Sequence, residues 1–182
     1  GQGAMAALLG LSFDQAEAVA AEAAQGEVCQ VANQNDPAQN VVSGSKAAVE
    51  RAIDLAKAAG AKRALLLPVS APFHCALMAP AAEEMAGALA DVTMNAPAVP
   101  VVANVVAEAV TDPEQIRKLL IEQVTGQVRW MSSVEWMGAQ GVTEVWEIGA
   151  GKALSGMIRR INKEITCVNI GTAADAAAVK TA

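Results

Sequence analysis

The sequence predicts an α/β protein whose first part is a ferredoxin-like βαββαβ unit, and three observations carry that expectation. Short apolar runs alternate with helix-period runs through the first 70 residues in the order strand, helix, strand, strand, helix, strand. The pattern then changes to an α/β series with too few strands for a complete doubly wound sheet. Finally, 53% of the 182 residues are hydrophobic but only 3% are aromatic, none is Tyr and Ala is abundant, a composition for helices packed closely on a sheet.

Ala4 to Leu11 is an apolar run of the kind a buried strand requires. Ser12 with Gln15 three residues on is a capping-box start for a helix through about Gln25. Val28 to Ala32 and Asn40 to Ser43 read as two strands, joined by a turn-rich connection, Asn33-Gln34-Asn35-Asp36-Pro37. Ser45 is placed to cap the next helix. That helix carries Val49, Ala52, Ile53 and Ala56 on one face, and Gly60 is its glycine stop. Ala64 to Val69 is a strand. Beyond it the spacing predicts a helix from Met78 to about Ala90, short strands in Pro97 to Val102 and Val105 to Val110, and a helix capped by Asp112 with Pro113 and Gln115. A helix over Trp130 to Gln140, a strand over Val142 to Glu147, a helix over Lys152 to about Lys163 and a strand over Thr166 to Ile170 complete the series.

Charge and cysteine usage narrow the function classes. The formal net charge is −6 and no basic stripe with interleaved aromatics is present, so nucleic acid is not the expected partner; phosphate binding draws its affinity from clustered Lys and Arg. Cys29, Cys75 and Cys167 are odd in number, far apart and form no CxxC pair. That pattern speaks against a disulfide framework or a zinc site and for a reducing compartment. No apolar run reaches the roughly 18 residues of a membrane span, and Gly1-Gln2-Gly3 carries no basic leader, so a cytoplasmic location is expected. With no initiator Met and a strand starting at once, the chain reads as entered partway through, with the missing strands upstream of residue 1.

His74 is the only histidine. It lies in Val69-Ser70-Ala71-Pro72-Phe73-His74-Cys75-Ala76-Leu77-Met78, between a strand-like and a helix-like run, and imidazole is the side chain whose ordinary titration falls near neutrality. A base needs a nucleophile to activate, yet G-x-S-x-G is absent, because Ser43 and Ser155 both lack the preceding Gly. Cys75, as the adjacent residue, points away from the imidazole. Glu147-Ile148-Gly149-Ala150-Gly151-Lys152-Ala153 fails as a phosphate loop: Trp146 stands where the first Gly belongs and Ala153 where Ser or Thr belongs, leaving a tight strand-to-helix turn. One His and scattered acids give no metal-ligand spacing. Lys62-Arg63 is a basic pair between helix and strand, of interest when the partner is acidic.

The Val69 to Met78 segment closely resembles the histidine motif of the malonyl-CoA:acyl carrier protein transacylase family. Gly3 to Leu11, Asn33 to Gly44, Ala58 to Ala64, Asn95 to Val102 and Glu147 to Lys152 resemble further family segments in family order, so the resemblance covers nearly the whole chain. It implies a C-terminal portion of such an enzyme: a small ferredoxin-like subdomain over 1–68, and over 69–182 the C-terminal part of an α/β-hydrolase-like large subdomain. The implied reaction is ping-pong transfer of malonyl from coenzyme A to the phosphopantetheine thiol of acyl carrier protein, in fatty acid biosynthesis, with no cofactor. His74 would be general base and then acid, oriented by the backbone carbonyl of Gln123 instead of an Asp. Phe73 resembles the Phe of malonyl-selective domains, Asn33 and Asn35 the asparagines facing the substrate channel, and Lys62 and Arg63 a patch that docks the acidic carrier protein.

Two departures from the family stand out. Gly126-Gln127-Val128 replaces a frequent Asn-Pro-Val turn, and Ala150 replaces a common Pro. The family's GHSLG serine, its carboxylate-pairing Arg and its oxyanion-hole Gln are expected upstream of residue 1, so the 182-residue chain is expected to be inactive alone. The alternative reading of the residues is a non-catalytic ferredoxin-like interaction module with a structural His74.

Overall fold

The computed structural model describes residues 3–69 and 71–179; Ser70 of the histidine segment and the Gly1-Gln2 start lie outside the described residues. The first six elements are β1 (Gly3–Leu9), α1 (Phe13–Ala24), β2 (Cys29–Asp36), β3 (Gln39–Ser45), α2 (Lys46–Ala58) and β4 (Arg63–Leu66). They form one antiparallel sheet in the order β2-β3-β1-β4, the βαββαβ arrangement that the alternation of runs predicts.

Small side chains explain the close packing of this layer. Ala16, Val19, Ala20 and Ala23 of α1 and Ala48, Val49, Ala52 and Ala56 of α2 are buried with Ala6, Leu8 and Val42 of the sheet. Ile53, expected on that face, is only partly buried. The Ser12 hydroxyl accepts the Gln15 N–H at 3.3 Å and the Gln15 side chain accepts the Ser12 N–H at 2.9 Å, so the capping box is formed. At the other end of α1, the Arg51 guanidinium of α2 donates to the Ala23 and Ala24 carbonyls at 2.9 and 3.1 Å, satisfying acceptors a helix cannot satisfy itself.

Several elements depart from expectation. Ser45 stands at the N-cap of α2 but its side chain makes no cap bond; its residue already ends β3, and Ser45 N–H donates to Val28 O at 2.8 Å. The Asn33 to Asp36 stretch is strand, not turn. Pro37-Ala38 alone makes the reversal, with Asp36 Oδ1 accepting the Ala38 N–H at 2.9 Å. The polar stretch stays extended because its backbone is engaged on both edges. β3 lies on one side across two register shifts, and on the other Val128 accepts from Gln34 N–H at 3.0 Å and donates to Ala32 O at 2.8 Å. β4 stops at Leu66 rather than Val69: Leu67 N–H makes one more bond to Met5 O at 2.9 Å, and Pro68 has no N–H to continue the ladder.

A single 3₁₀ turn, Ala76–Met78, precedes α3 (Ala79–Ala90), which therefore starts one residue later than the spacing suggests. β5 (Val101–Ala103) and β6 (Glu108–Val110) form a short hairpin, narrower than the apolar runs around them. α4 (Pro113–Glu122) is capped by Asp112, whose Oδ2 accepts the Gln115 N–H at 2.7 Å. Arg117 of α4 binds the Leu89 and Val92 carbonyls where α3 ends.

By density of internal packing the chain divides into two units, one ending at Ser133 and one beginning at Val134, with α5 (Trp130–Ala139) running across the division. The second unit contains β7 (Glu144–Ile148), α6 (Ala153–Ile161), β8 (Thr166–Ile170) and α7 (Ala173–Ala178), with β7 and β8 paired in parallel. Helix α7 was not expected, although Thr172 and Asp175 form a capping box at its start.

Candidate active site around His74

The segment after β4 is anchored at several points around His74. Gly3 begins β1, and a Cβ on it would overlap the Pro72 ring, so the absence of a side chain there makes room for the loop. Cys75 is fully buried and its Sγ–H donates to Pro72 O at 3.2 Å, while the Ala76 N–H donates to the Gln30 side chain at 2.8 Å. Between these anchors His74 has φ +59, the left-handed region that a non-glycine residue occupies at a cost of about 1–2 kcal/mol. Backbone strain of this kind persists only where the surroundings over-determine it.

His74 Nδ1 lies 2.8 Å from the backbone oxygen of Gln123. A carbonyl can only accept, so Nδ1 carries the proton and, in the neutral ring, Nε2 presents a lone pair. Among the described residues no hydrogen bond to Nε2 is present. Gln123 is the C-cap residue of α4, and its carbonyl is one of the last-turn acceptors that the helix itself leaves unmatched. The imidazole fills that vacancy and takes from it a fixed tautomer. The Gln123 side chain is held separately, its Oε1 accepting from Asn104 Nδ2 at 2.9 Å.

The other expected residues fall in three places. Phe73, beside His74, is 40% exposed. Asn33 and Asn35 are half-buried on β2, with Asn33 in a parallel bridge to Val128. Lys62 and Arg63 are exposed at the far end of β1: Leu9 pairs with Arg63 and Lys62 N–H donates to Leu9 O at 2.8 Å, whereas Pro72 lies at Gly3. At strand rise per residue that separates the basic pair from the histidine loop by about 20 Å. Gln30 and Asn104 brace the site and were not anticipated. The only trace of Asn104 in the sequence is a lone amide in the apolar run Val101 to Val106.

In the second unit the Gly149-Ala150-Gly151 turn is closed by a carboxylate of the chain itself. Glu147 accepts the Leu154 and Ser155 N–H groups at 3.0 and 2.8 Å, together with the Ser155 hydroxyl and the Asn169 side chain. The N-terminal amides of α6 that an anion would need are thus already used. The Ser155 hydroxyl, with the Ser155 and Leu154 amides and Asn169, holds the Glu147 carboxyl below the usual glutamate range, against a smaller opposing effect of burial. Burial pushes the Cys29 thiol up to about 11, leaving it a protonated core residue. Among the described residues no group of three or more His, Cys, Asp or Glu is placed to hold a metal, and no helix is long and apolar enough to cross a membrane.

No protein-family model matches the chain. Curated relatives do: the malonyl CoA-acyl carrier protein transacylase of Escherichia coli K12 is 51% identical over 166 residues, 91% of this chain and 54% of the relative. That of Bacillus subtilis 168 is 42% identical over 171 residues, 93% of this chain and 54% of the relative. Among solved structures, an acyl carrier protein S-malonyltransferase from Vibrio cholerae superposes with a TM-score of 0.95 at 50% identity, over 99% of this chain and 59% of that one. A malonyl-transacylase solved in complex with a type II PKS acyl-carrier protein superposes with a TM-score of 0.93 at 42% identity, over 96% of this chain and 57% of that one.

The class these matches share is that of the acyl-group transferases, and an imidazole fixed by a backbone carbonyl is chemically suited to it. The chain belongs to the malonyl CoA-acyl carrier protein transacylase family, and it spans a little over half the length of the curated relatives it matches.

Proposed function

We propose that this chain is the C-terminal, proton-transferring part of an enzyme that moves malonyl from coenzyme A to the phosphopantetheine thiol of acyl carrier protein. The observation that carries the reading is the 2.8 Å contact between His74 Nδ1 and Gln123 O, which leaves Nε2 as the acceptor. In the first half-reaction Nε2 takes the proton of a serine hydroxyl supplied by the part of the family fold that this chain does not span. The serine oxygen adds to the malonyl thioester carbonyl. The tetrahedral intermediate then expels the coenzyme A sulfur, which leaves with the proton from Nε2–H. The second half-reaction runs the same steps with the carrier thiol as nucleophile: Nε2 takes its proton, sulfur adds to the acyl-serine, and the proton returns to the serine oxygen. No cofactor enters this sequence.

Asn33 and Asn35 then bind the substrate, and Phe73 limits the bulk of the acyl group. Lys62 and Arg63 attract the acidic carrier protein from a point far enough away for its prosthetic arm to reach the histidine. A malonyl-transfer assay on the full-length protein tests the reading. His74→Ala is expected to lower kcat about 10²- to 10⁴-fold, the range of a lost general base, and undiminished transfer would refute the mechanism. The 182-residue chain alone should show no transfer; robust transfer by it would place the nucleophile elsewhere than proposed.

A further inference from the structure

Asn104 grips the turn that follows α4 at both ends. Its Nδ2–H donates to Gln123 Oε1 at 2.9 Å, and its backbone carbonyl accepts the Arg129 N–H at 3.1 Å. The turn between is tight: Gly126 N–H donates to Glu122 O at 2.8 Å, and a Cβ on Gly126 would stand 2.9 Å from that same oxygen and 3.3 Å from Val105. Asn104 is itself fixed, because it directly follows β5, whose Val102 and Ala103 pair with Ala109 and Glu108, and because Ala107 N–H closes onto Ala103 O at 2.8 Å.

We propose that Asn104 is a positioning residue for His74, acting through Gln123. A carbonyl at a helix end swings with its own ψ, since the next turn no longer holds it. Hydrogen bonds weaken steeply once they bend away from linearity. Holding the side chain of Gln123 restricts that swing and keeps its carbonyl aimed at Nδ1. When the aim is lost, the neutral ring gains the Nε2–H tautomer, which has no lone pair at the nitrogen that must accept the proton. Asn104 thereby sets the fraction of imidazoles competent as base without touching the ring. The kinetic part of this inference rests on the reading of His74 as base; the tautomer part does not.

His74 is the only histidine of the 182 residues, and in the full-length protein its ring nitrogens are assigned in a ¹⁵N spectrum as the signals that His74→Ala removes. The free, full-length protein is compared with Asn104→Ala, with Gln123→Ala, which keeps the backbone carbonyl, and with the double variant, at about pH 9, above the ordinary histidine range. Each single variant should lower the Nδ1–H to Nε2–H ratio about fivefold, the worth of one ordinary hydrogen bond. The double variant should fall no further, since both changes cut one link. Asn104→Asp should restore the ratio, because the Gln123 amide turned end for end donates to the carboxylate. In the transfer assay kcat should fall in proportion to the Nδ1–H fraction that the ratio gives, while KM for malonyl-CoA stays within about twofold.

An unchanged ratio in a folded Asn104→Ala protein, additive losses in the double variant, or an Asn104→Asp protein as impaired as Asn104→Ala would each overturn the proposal. Should Asn104→Ala not fold, an unchanged ratio in Gln123→Ala overturns it alone. An Nδ1–H fraction that falls with no change in transfer leaves the positioning intact and refutes His74 as the base.

Discussion

Gln30 reaches from β2 to the backbone of Ala76, its Oε1 accepting the Ala76 N–H at 2.8 Å from 46 residues away in sequence. Ala76 opens the 3₁₀ turn that follows His74, and the first amides of such a turn have no acceptor within it. Gln30 supplies one, and so ties the sheet to the residue two places after the imidazole. Under the proposed function, Gln30→Ala is expected to lower kcat/KM for malonyl transfer by the full-length protein about three- to tenfold, the worth of one hydrogen bond. Steady-state kinetics check it, and an unaltered kcat/KM would show that the loop holds its shape without this tie.

The left-handed backbone at His74 makes a different prediction, about stability. Glycine adopts φ +59 without a Cβ clash, whereas alanine keeps it, and both variants lose the bond to Gln123. His74→Gly should therefore be more stable than His74→Ala by about 1 kcal/mol. Urea melts of the two variants measure the difference. Equal midpoints would mean that the loop relaxes out of the left-handed region once the imidazole is gone.

The Glu147 carboxyl titrates lower when folded than when unfolded, because the Ser155 hydroxyl, the Ser155 and Leu154 amides and Asn169 bind its charged form. A carboxylate of this kind contributes stability at pH above the usual glutamate range and loses it as pH falls through the folded value. The stability gap between the wild-type protein and Glu147→Gln should be widest near neutrality and should narrow on acidification below about pH 4. Thermal melts from about pH 7 to about pH 3 test this. A gap independent of pH would remove the carboxylate from the account of α6.

Lys62 and Arg63 lie at the opposite end of β1 from the histidine loop, so under the proposed function their charge would act on carrier encounter and not on the proton transfer. Reversing both, Lys62→Glu with Arg63→Glu, should raise the apparent KM for acyl carrier protein about tenfold at low ionic strength while leaving KM for malonyl-CoA unchanged. The difference should shrink as salt screens the pair. Equal effects on the two substrates would rule out docking at this surface.

Much of the fold was legible because periodicity and caps act locally. Ser12 with Gln15, Asp112, and the Val49, Ala52 and Ala56 stripe all behave as their spacing implies. Failures came where a distant segment decides the local structure. Asn33 to Asp36 has turn composition, yet Val128 supplies the edge that keeps it extended. His74 stood out as the lone imidazole of its kind, and family likeness pointed to Gln123; their contact joins residues 49 positions apart, beyond any local pattern. Gln30 and Asn104 had no comparable signal, since a single amide in a strand is ordinary until the chain folds and gives it a neighbour.

The Val128 bridge also has a mechanical side. Val128 is bonded to β2 at Ala32 and Gln34, flanking Asn33, and it stands five residues beyond Gln123 in the turn that Asn104 closes. The strand carrying the two asparagines and the carbonyl that meets the imidazole are therefore joined through a few residues of backbone. The extended backbone of β2 at Asn33 and the place of the Gln123 carbonyl at the end of α4 are thus fixed within one connected stretch of chain, and a change at Val128 would disturb both.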